Sequence, residues 1–276
     1  VLMLVTLNEI LPEARKKKRA VGAFNVANYE AALGVVRAAE REKLPVIIQI
    51  FQRLFLSEKG SDLAGSLLRM AHRCKQPVAV HLDHGGSPEI VRAALAAGCT
   101  SVMFDGSMLD FEKNSALTKY AADYAHTLGA SCEGEIGHVA MGDENAITTV
   151  EDAVRFHSAT GVDALAVSIG TVHGFYKSEP KIDALRCAEI SEALPGVPLV
   201  LHGGTGTPPE ALRAVIESGV SKVNIATEFM DTFLKSTRRQ LDILDGKFLP
   251  VDKFMDPVVD DCAAHAARLM RFFAGI

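Results

Sequence analysis

No run in this 276-residue chain approaches the roughly 18 apolar residues of a membrane span, and Val1 to Thr6 is too short for the apolar core of a secretion signal. A soluble, cytoplasmic protein is expected, with Val1 and Leu2 standing ahead of a start at Met3. No CxxC pair occurs among the five cysteines (Cys74, Cys99, Cys132, Cys187, Cys262), and their odd number and wide scatter disfavour a disulfide framework or a thiolate zinc cage. Reduced, buried thiols are expected. Positive charge is not in excess: the net charge of −5 argues against a nucleic-acid surface, yet leaves room for small anionic substrates that respond to local charge. The one basic block, Arg15 to Arg19, reads as the solvated last turn of a first helix, where cations suit the dipole. No Pro- or Ser-rich linker divides the chain, so residues 1–276 are expected to form one catalytic unit. With 48% hydrophobic and 23% charged residues, disorder, collagen and coiled coil drop out.

What is present is a recurring unit. Eight short β-rich runs, each ending in polar residues or glycine before an amphipathic stretch, fall at Val21–Asn25, Val46–Ile50, Val78–Asp83, Ser101–Asp105, Ser131–Ile136, Ala164–Ile169, Leu199–His202 and Lys222–Ala226. Several are almost wholly apolar, the pattern of parallel strands covered on both faces. Ala31, Ala32, Val35, Val36 and Ala39 then fall at helical spacing behind Asn28, a candidate N-cap. Gly98, Gly161 and Gly219 each close a helix before a strand, an internal echo of one supersecondary unit. Eight units in this length predict an α/β fold, a (β/α)8 barrel with extra helices at Thr6–Lys18 and Met255–Phe273, the latter opening at Asp256-Pro257.

Catalytic groups of such barrels stand at the C-terminal ends of the strands. Strand 3 ends His81-Leu82-Asp83-His84-Gly85, strand 5 carries Glu133-Gly134-Glu135, strand 6 is followed by His173-Gly174, and strand 7 ends His202-Gly203-Gly204. A single strand-end histidine is most often a hydrogen-bonded structural residue. Three at one rim, each followed by glycine, suit zinc, because imidazole nitrogen is a preferred ligand and three protein ligands leave a position for substrate. Glu135 is an optional fourth ligand. His81 reads as a supporting residue behind the metal, and His138 is ambiguous. Asp83 beside a ligand can shuttle a proton, or else anchor a histidine. Gly203-Gly204-Thr205-Gly206 before one helix and Asn224 to Thr227 before the next make a phosphate site, since helix starts offer free N–H groups.

At these residues the chain resembles the class II, metal-dependent ketose-bisphosphate aldolases, the family of fructose- and tagatose-bisphosphate aldolases. The resemblance spans nearly the whole chain and also rests on Val21 to Asn25, Ser101 to Ser107, Glu133 to Gly137, Gly170 to Tyr176 and Lys222 to Glu228. It implies zinc on His84, His173 and His202, with Glu135 as an alternate ligand, Asp105 as a metal-site carboxylate and a monovalent cation near the phosphate. It implies Asp83 as the acid/base at the substrate's C4 hydroxyl. It implies that Gly174, Gly203, Thr205, Asn224 and Thr227 hold the dihydroxyacetone-phosphate half, that Asn25 touches substrate, and that the enzyme is a homodimer or homotetramer. Cleaving C3–C4 leaves an enediolate whose charge a divalent metal can carry. No lysine stands at the end of strand 6 for Schiff-base chemistry, and Lys222, at the start of strand 8, lies at the wrong end.

The chain departs from the family where relatives carry Ser or Thr after strand 2. It reads Gln49-Ile50-Phe51-Gln52-Arg53, and Gly142 to Asn145 is shorter than the acidic loop of many relatives. Glu144, with Asp143 next, is the candidate second base. Ala226 replaces an Asp of one fructose-bisphosphate branch, leaning towards tagatose-like and shorter-chain branches. Arg53 is the candidate for gripping a distal phosphate or carboxylate, against a merely solvated arginine or Lys235, Arg238 and Arg239. Besides a ketose bisphosphate, three readings stay open: an aldolase for a phosphorylated deoxy sugar acid, a metal-dependent sugar-phosphate epimerase, and a non-catalytic sugar-phosphate binder. An amidohydrolase is disfavoured, since Phe24-Asn25 ends strand 1 without paired histidines.

Overall fold

Eight parallel strands hydrogen-bond in sequence order and close on themselves, β1 pairing with β8. The computed structural model describes residues 3–139, 147–176 and 180–276. The strands are β1 (Val21–Asn25), β2 (Val46–Phe51), β3 (Val78–Gly85), β4 (Ser101–Phe104), β5 (Ser131–Ile136), β6 (Ala164–Val167), β7 (Leu199–Leu201) and β8 (Val220–Ile225). Around them run α1 (Leu7–Lys16), α2 (Tyr29–Glu42), α3 (Glu58–Arg73), α4 (Pro88–Ala96), α5 (Phe111–Thr127), α6 (Val150–Thr160), α7 (Ala184–Ala193), α8 (Pro209–Glu217), α9 (Thr227–Leu244) and α10 (Val251–Ala274). The predicted (β/α)8 barrel is thus the architecture found. Asn28 caps α2, accepting from the Ala31 amide at 2.9 Å, and Gly98, Gly161 and Gly219 all take positive φ. All five cysteines are buried and unpaired. Among the described residues no helix is long and apolar enough to cross a membrane.

Two apolar layers hold the barrel. The larger lies between the sheet and the helix ring; the smaller fills the N-terminal end of the bore, where Leu7, Ile10 and Leu11 of α1 meet Val21, Ala23, Ile47, Ala79, Ala164, Ala166 and Val200. Small residues in the bore admit the helix, so α1 closes the floor opposite the mouth formed by the C-terminal ends of the strands. Within the basic block Lys16 to Lys18 are exposed, but Arg15 turns inward and donates to the Ser191 carbonyl at 2.8 Å.

Several boundaries differ from expectation. Strands 4, 6 and 7 stop early, leaving Asp105 and His202 on the first loop residues, free of the pleat's alternation. Strand 8 begins at Val220, so Lys222 is its third residue and lies wholly buried, rather than opening it. The last helix does not open at Asp256-Pro257. It starts at Val251 behind Pro250, and Pro257 sits inside it without a backbone donor. Packing explains that tolerance: Val258, Val259, Cys262 and Ala266 are buried, and Gly34 of α2 brings the two helices so close that a Cβ there would stand 2.7 Å from the Cys262 Cβ.

Candidate metal and phosphate site

Strict alternation along β3 would send Asp83 and His84 to opposite faces. The β3–β4 register shifts between Leu82 and Gly85, and His84 takes φ +54° in the left-handed region. This irregularity turns both side chains into the barrel mouth, the re-aiming that bulges produce. Asp83 is almost fully buried and doubly held: Asn25 Nδ2 donates to Oδ2 at 2.7 Å and Asn224 Nδ2 to Oδ1 at 3.1 Å. Its Oδ1 lies 3.9 Å from His84 Nε2.

His84, His173 and His202 converge from β3 and from the loops after β6 and β7, each offering a nitrogen within 4.8 Å of the others. A second set, His84, Asp105 and Glu135, meets the same limit. Outer partners set which nitrogens are free. His84 Nδ1 donates to Asp105 Oδ2 at 2.7 Å, and Ser107 Oγ donates to the other oxygen of that carboxylate at 2.7 Å. His202 Nε2 donates to Glu133 Oε1 at 2.8 Å, leaving Nδ1 buried with no hydrogen bond among the described residues, 3.3 Å from a Glu135 Oε2 equally unsatisfied among them. Buried donor atoms of this kind call for a cation, and three imidazoles with a neighbouring carboxylate fit zinc.

Burial alone would lower the His84 pKa, but Asp83, Asp105 and Glu135 outweigh it and raise that pKa to about 10. Burial, reinforced by the charges of His84 and His202, lowers His173 to about 3. Burial pushes the Glu135 carboxyl up to about 7. For Asp83 the desolvation is overcome by His84, then His202 and Lys222, so its carboxyl is held below the usual range and ionised.

His84, His173, Glu135 and Asp83 share a cleft of about 510 Å³ that is also lined by Gly174, Gly203, Thr205, Asn224 and Thr227. Gly203 takes φ +69°, and a Cβ there would come within 2.3 Å of the Val172 carbonyl oxygen, so only glycine fits. The two helix starts are not equivalent. Pro208 and Pro209 deprive α8 of its first amides and α8 does not line the cleft, whereas α9 brings Thr227 and Met230 to it. The backbone amides available to an anion in this cleft are therefore those of the glycine turn and of the N-terminus of α9.

A family model described as class-II fructose-bisphosphate aldolase matches residues 5–275. The chain belongs to the class II fructose-bisphosphate aldolase family. Among its relatives, the fructose-bisphosphate aldolase of Geobacillus stearothermophilus is 38% identical over 99% of this chain and 97% of its own. The 6-phospho-5-dehydro-2-deoxy-D-gluconate aldolase of Bacillus velezensis is 35% identical, covering 99% and 96%. The crystal structure of the YdjI aldolase from Escherichia coli K12 superposes with a TM-score of 0.87 at 32% identity, covering 98% of this chain and 97% of that one.

In this class II aldolase nearly every residue singled out from sequence comes to one mouth: Asn25, Asp83, His84, Asp105, Glu135, His173, Gly174, Gly203, Thr205, Asn224 and Thr227 line the cleft beside His202. Arg53 lines it too, exposed, its guanidinium 5.2 Å from the Phe51 ring centroid. Lys235 pairs with Asp231 and Arg239 with Asp261, and neither lines the cleft. Glu144 and Asp143 lie outside the described residues. His138, ambiguous in sequence, reaches the cleft with Nδ1 3.1 Å from Ser107 Oγ. Sequence reading gave no role to Gln49, Glu133 and Lys222, all fully buried in the bore. Parity along the strands was the available signal: Glu133 shares a face with Glu135, and Lys222 with Asn224.

Proposed function

We propose that this aldolase reversibly splits a phosphorylated ketose between C3 and C4 into dihydroxyacetone phosphate and an aldehyde. The observation that carries this reading is Asp83: an ionised carboxylate, gripped by two amides, that faces the same mouth as the three imidazoles. His84, His173 and His202 would hold a zinc ion, with Glu135 as alternate ligand and Asp105 behind His84, and the bound metal would supply a Lewis acid for developing negative charge. Gly174, Gly203, Thr205, Asn224 and Thr227 hold the phosphate-bearing triose, and Asn25 orients Asp83 and meets the substrate. A monovalent cation near the phosphate belongs to the same reading. Asp83 takes the C4 hydroxyl proton as the bond breaks, and Glu144 returns a proton to C3 of the departing triose. Arg53 at the rim grips the distal phosphate or carboxylate. Buried, unpaired cysteines favour a reducing cytoplasm. Exposed Leu234, Leu241 and Ile243 on α9 favour a homodimer or homotetramer.

Fructose- or tagatose-1,6-bisphosphate-like substrates fit two anion grips. A phosphorylated deoxy sugar acid fits as well, and the Bacillus velezensis relative carries that activity in its name. Triose-phosphate release from a panel of ketose bisphosphates and phosphorylated sugar acids decides between them. Isomerised sugar with no triose would replace the aldolase reading with an epimerase, and binding without turnover would leave a sugar-phosphate binder.

A further inference from the structure

Apolar side chains fill the N-terminal end of the barrel bore, yet a full charge pair is buried in the bore as well. Lys222 and Glu133 are both completely buried, with Nζ 2.7 Å from Oε2. Ion pairs are costly to desolvate, and an apolar pair of similar volume would fill the space at least as favourably. The pair's connections supply a reason for it. Lys222 Nζ also donates to Asn224 Oδ1 at 2.8 Å, Asn224 Nδ2 donates to Asp83 at 3.1 Å, and the free end of Glu133 accepts from His202 Nε2 at 2.8 Å.

We propose that Lys222 is a positioning residue that sets both halves of the site at once, His202 through Glu133 and Asp83 through Asn224. The inference rests on the roles proposed above for His202 and Asp83. An asparagine amide has an accepting end and a donating end, and its neighbours decide which faces which way. An ammonium only donates, so it captures Oδ1 and commits the NH2 group to Asp83. Gln49 acts in the same way from the other side, donating to Asn25 Oδ1 at 2.9 Å and committing the Asn25 amide to Asp83. Without Lys222 the Asn224 oxygen loses its donor, and the amide is held at one end only, by Asp83. On the other arm, Lys222 pins Glu133, which orients the His202 ring so that Nδ1 faces His84 and Glu135. The i, i+2 spacing of Lys222 and Asn224 makes one strand carry both the cation and the amide it aligns.

Lys222→Met and the charge-balanced Lys222→Met/Glu133→Gln test this, each read by zinc affinity and, at saturating zinc, by aldol cleavage and by solvent exchange of the dihydroxyacetone-phosphate hydroxymethyl proton. Zinc affinity should fall in both, and in the double variant, where the Glu133 bond to His202 is itself changed, by about 10- to 100-fold. Cleavage should fall at least about tenfold while exchange at saturating dihydroxyacetone phosphate stays near wild type, because Asp83 serves the first and not the second. Two variants that keep Lys222 separate the arms: Asn224→Ala should lower cleavage with zinc affinity unchanged, and Glu133→Gln should lower zinc affinity. Adding Lys222→Met to Asn224→Ala at saturating zinc should reduce cleavage no further. Wild-type zinc affinity and cleavage in the charge-balanced double variant would overturn the proposal, as would fully additive cleavage losses. If neither lysine variant folds, a Glu133→Gln protein with wild-type zinc affinity and an Asn224→Ala protein with wild-type cleavage overturn it equally. Should the wild type release no triose phosphate from any substrate, the aldolase reading fails, and the zinc arm still decides for Lys222.

Discussion

Zinc binding should be driven by pH through one residue, His84. In the metal-free protein its pKa is raised from 6.5 to about 10, because Asp83, Asp105 and Glu135 surround it and outweigh burial. The sign is that of a histidine favoured in its charged form: protonated His84 stabilises the metal-free fold fully below pH 6.5, and that stability is lost as pH rises through about 10. Zinc needs the unprotonated ring, so at about pH 7.5 it must displace a proton held some 2.5 pH units above ambient, weakening apparent affinity by about 300-fold. Affinity should therefore rise about tenfold per pH unit between roughly pH 8 and 9.5, with about one proton released per zinc. Working above pH 8 keeps Glu135, whose carboxyl is raised to about 7, out of the balance, and His173, lowered to about 3, is already neutral. Competition against a chromophoric chelator gives the slope, and calorimetry in two buffers of different ionisation heat gives the proton count. Asp105→Asn, which removes one raising charge, should move the pH-dependent range downward. A flat affinity profile above pH 8 with no proton released would refute the account.

Asp83→Ala should lower cleavage by about 100- to 10,000-fold, the usual contribution of a positioned acid/base, while zinc stays bound and triose-phosphate proton exchange continues; equal loss of cleavage and exchange would make Asp83 a structural residue. Arg53→Ala should raise KM for the full substrate and leave that exchange near wild type, since Arg53 follows β2 and is no part of the glycine turn proposed to hold the triose; unchanged kinetics across the panel would return it to solvent. Chelation should abolish turnover while circular dichroism stays native, because the ligands stand at the mouth and not in the packed layers; persistent metal-free turnover would contradict zinc chemistry. Leu11→Ala should cost about 2–5 kcal/mol of stability with KM unaltered, because Leu11 is fully buried in the floor opposite the mouth; an unchanged denaturation midpoint would show that α1 is no plug.

Local patterning along the chain was enough to specify the barrel and most of the residues at its mouth. Eight apolar runs with glycine-capped helices between them leave few other ways to bury every strand on both faces, and polar groups at strand ends must then gather on one rim. That is why His84, His173, His202 and Glu135 were legible far apart in the chain. Tertiary structure decided how they meet. Alternation places Asp83 and His84 back to back, and only the register shift against β4 with a left-handed His84 brings both to the barrel mouth. Which nitrogen of His202 faces the metal site depends on Glu133, a strand-5 residue 69 positions away in sequence. Lys222 looked like a residue at the wrong end of the barrel because β8 starts two residues earlier than its hydrophobic run, and an inward-facing charge is readable only when its partner across the bore is known. Pro257 lies inside a helix for a similar reason: local propensity forbids it, and the packing of α10 on α2 overrides that preference. Periodicity reports which face a residue occupies, whereas hydrogen-bond polarity, charge pairing and strand register are set by neighbours distant in sequence, and these are the properties that turn a ring of polar residues into a site.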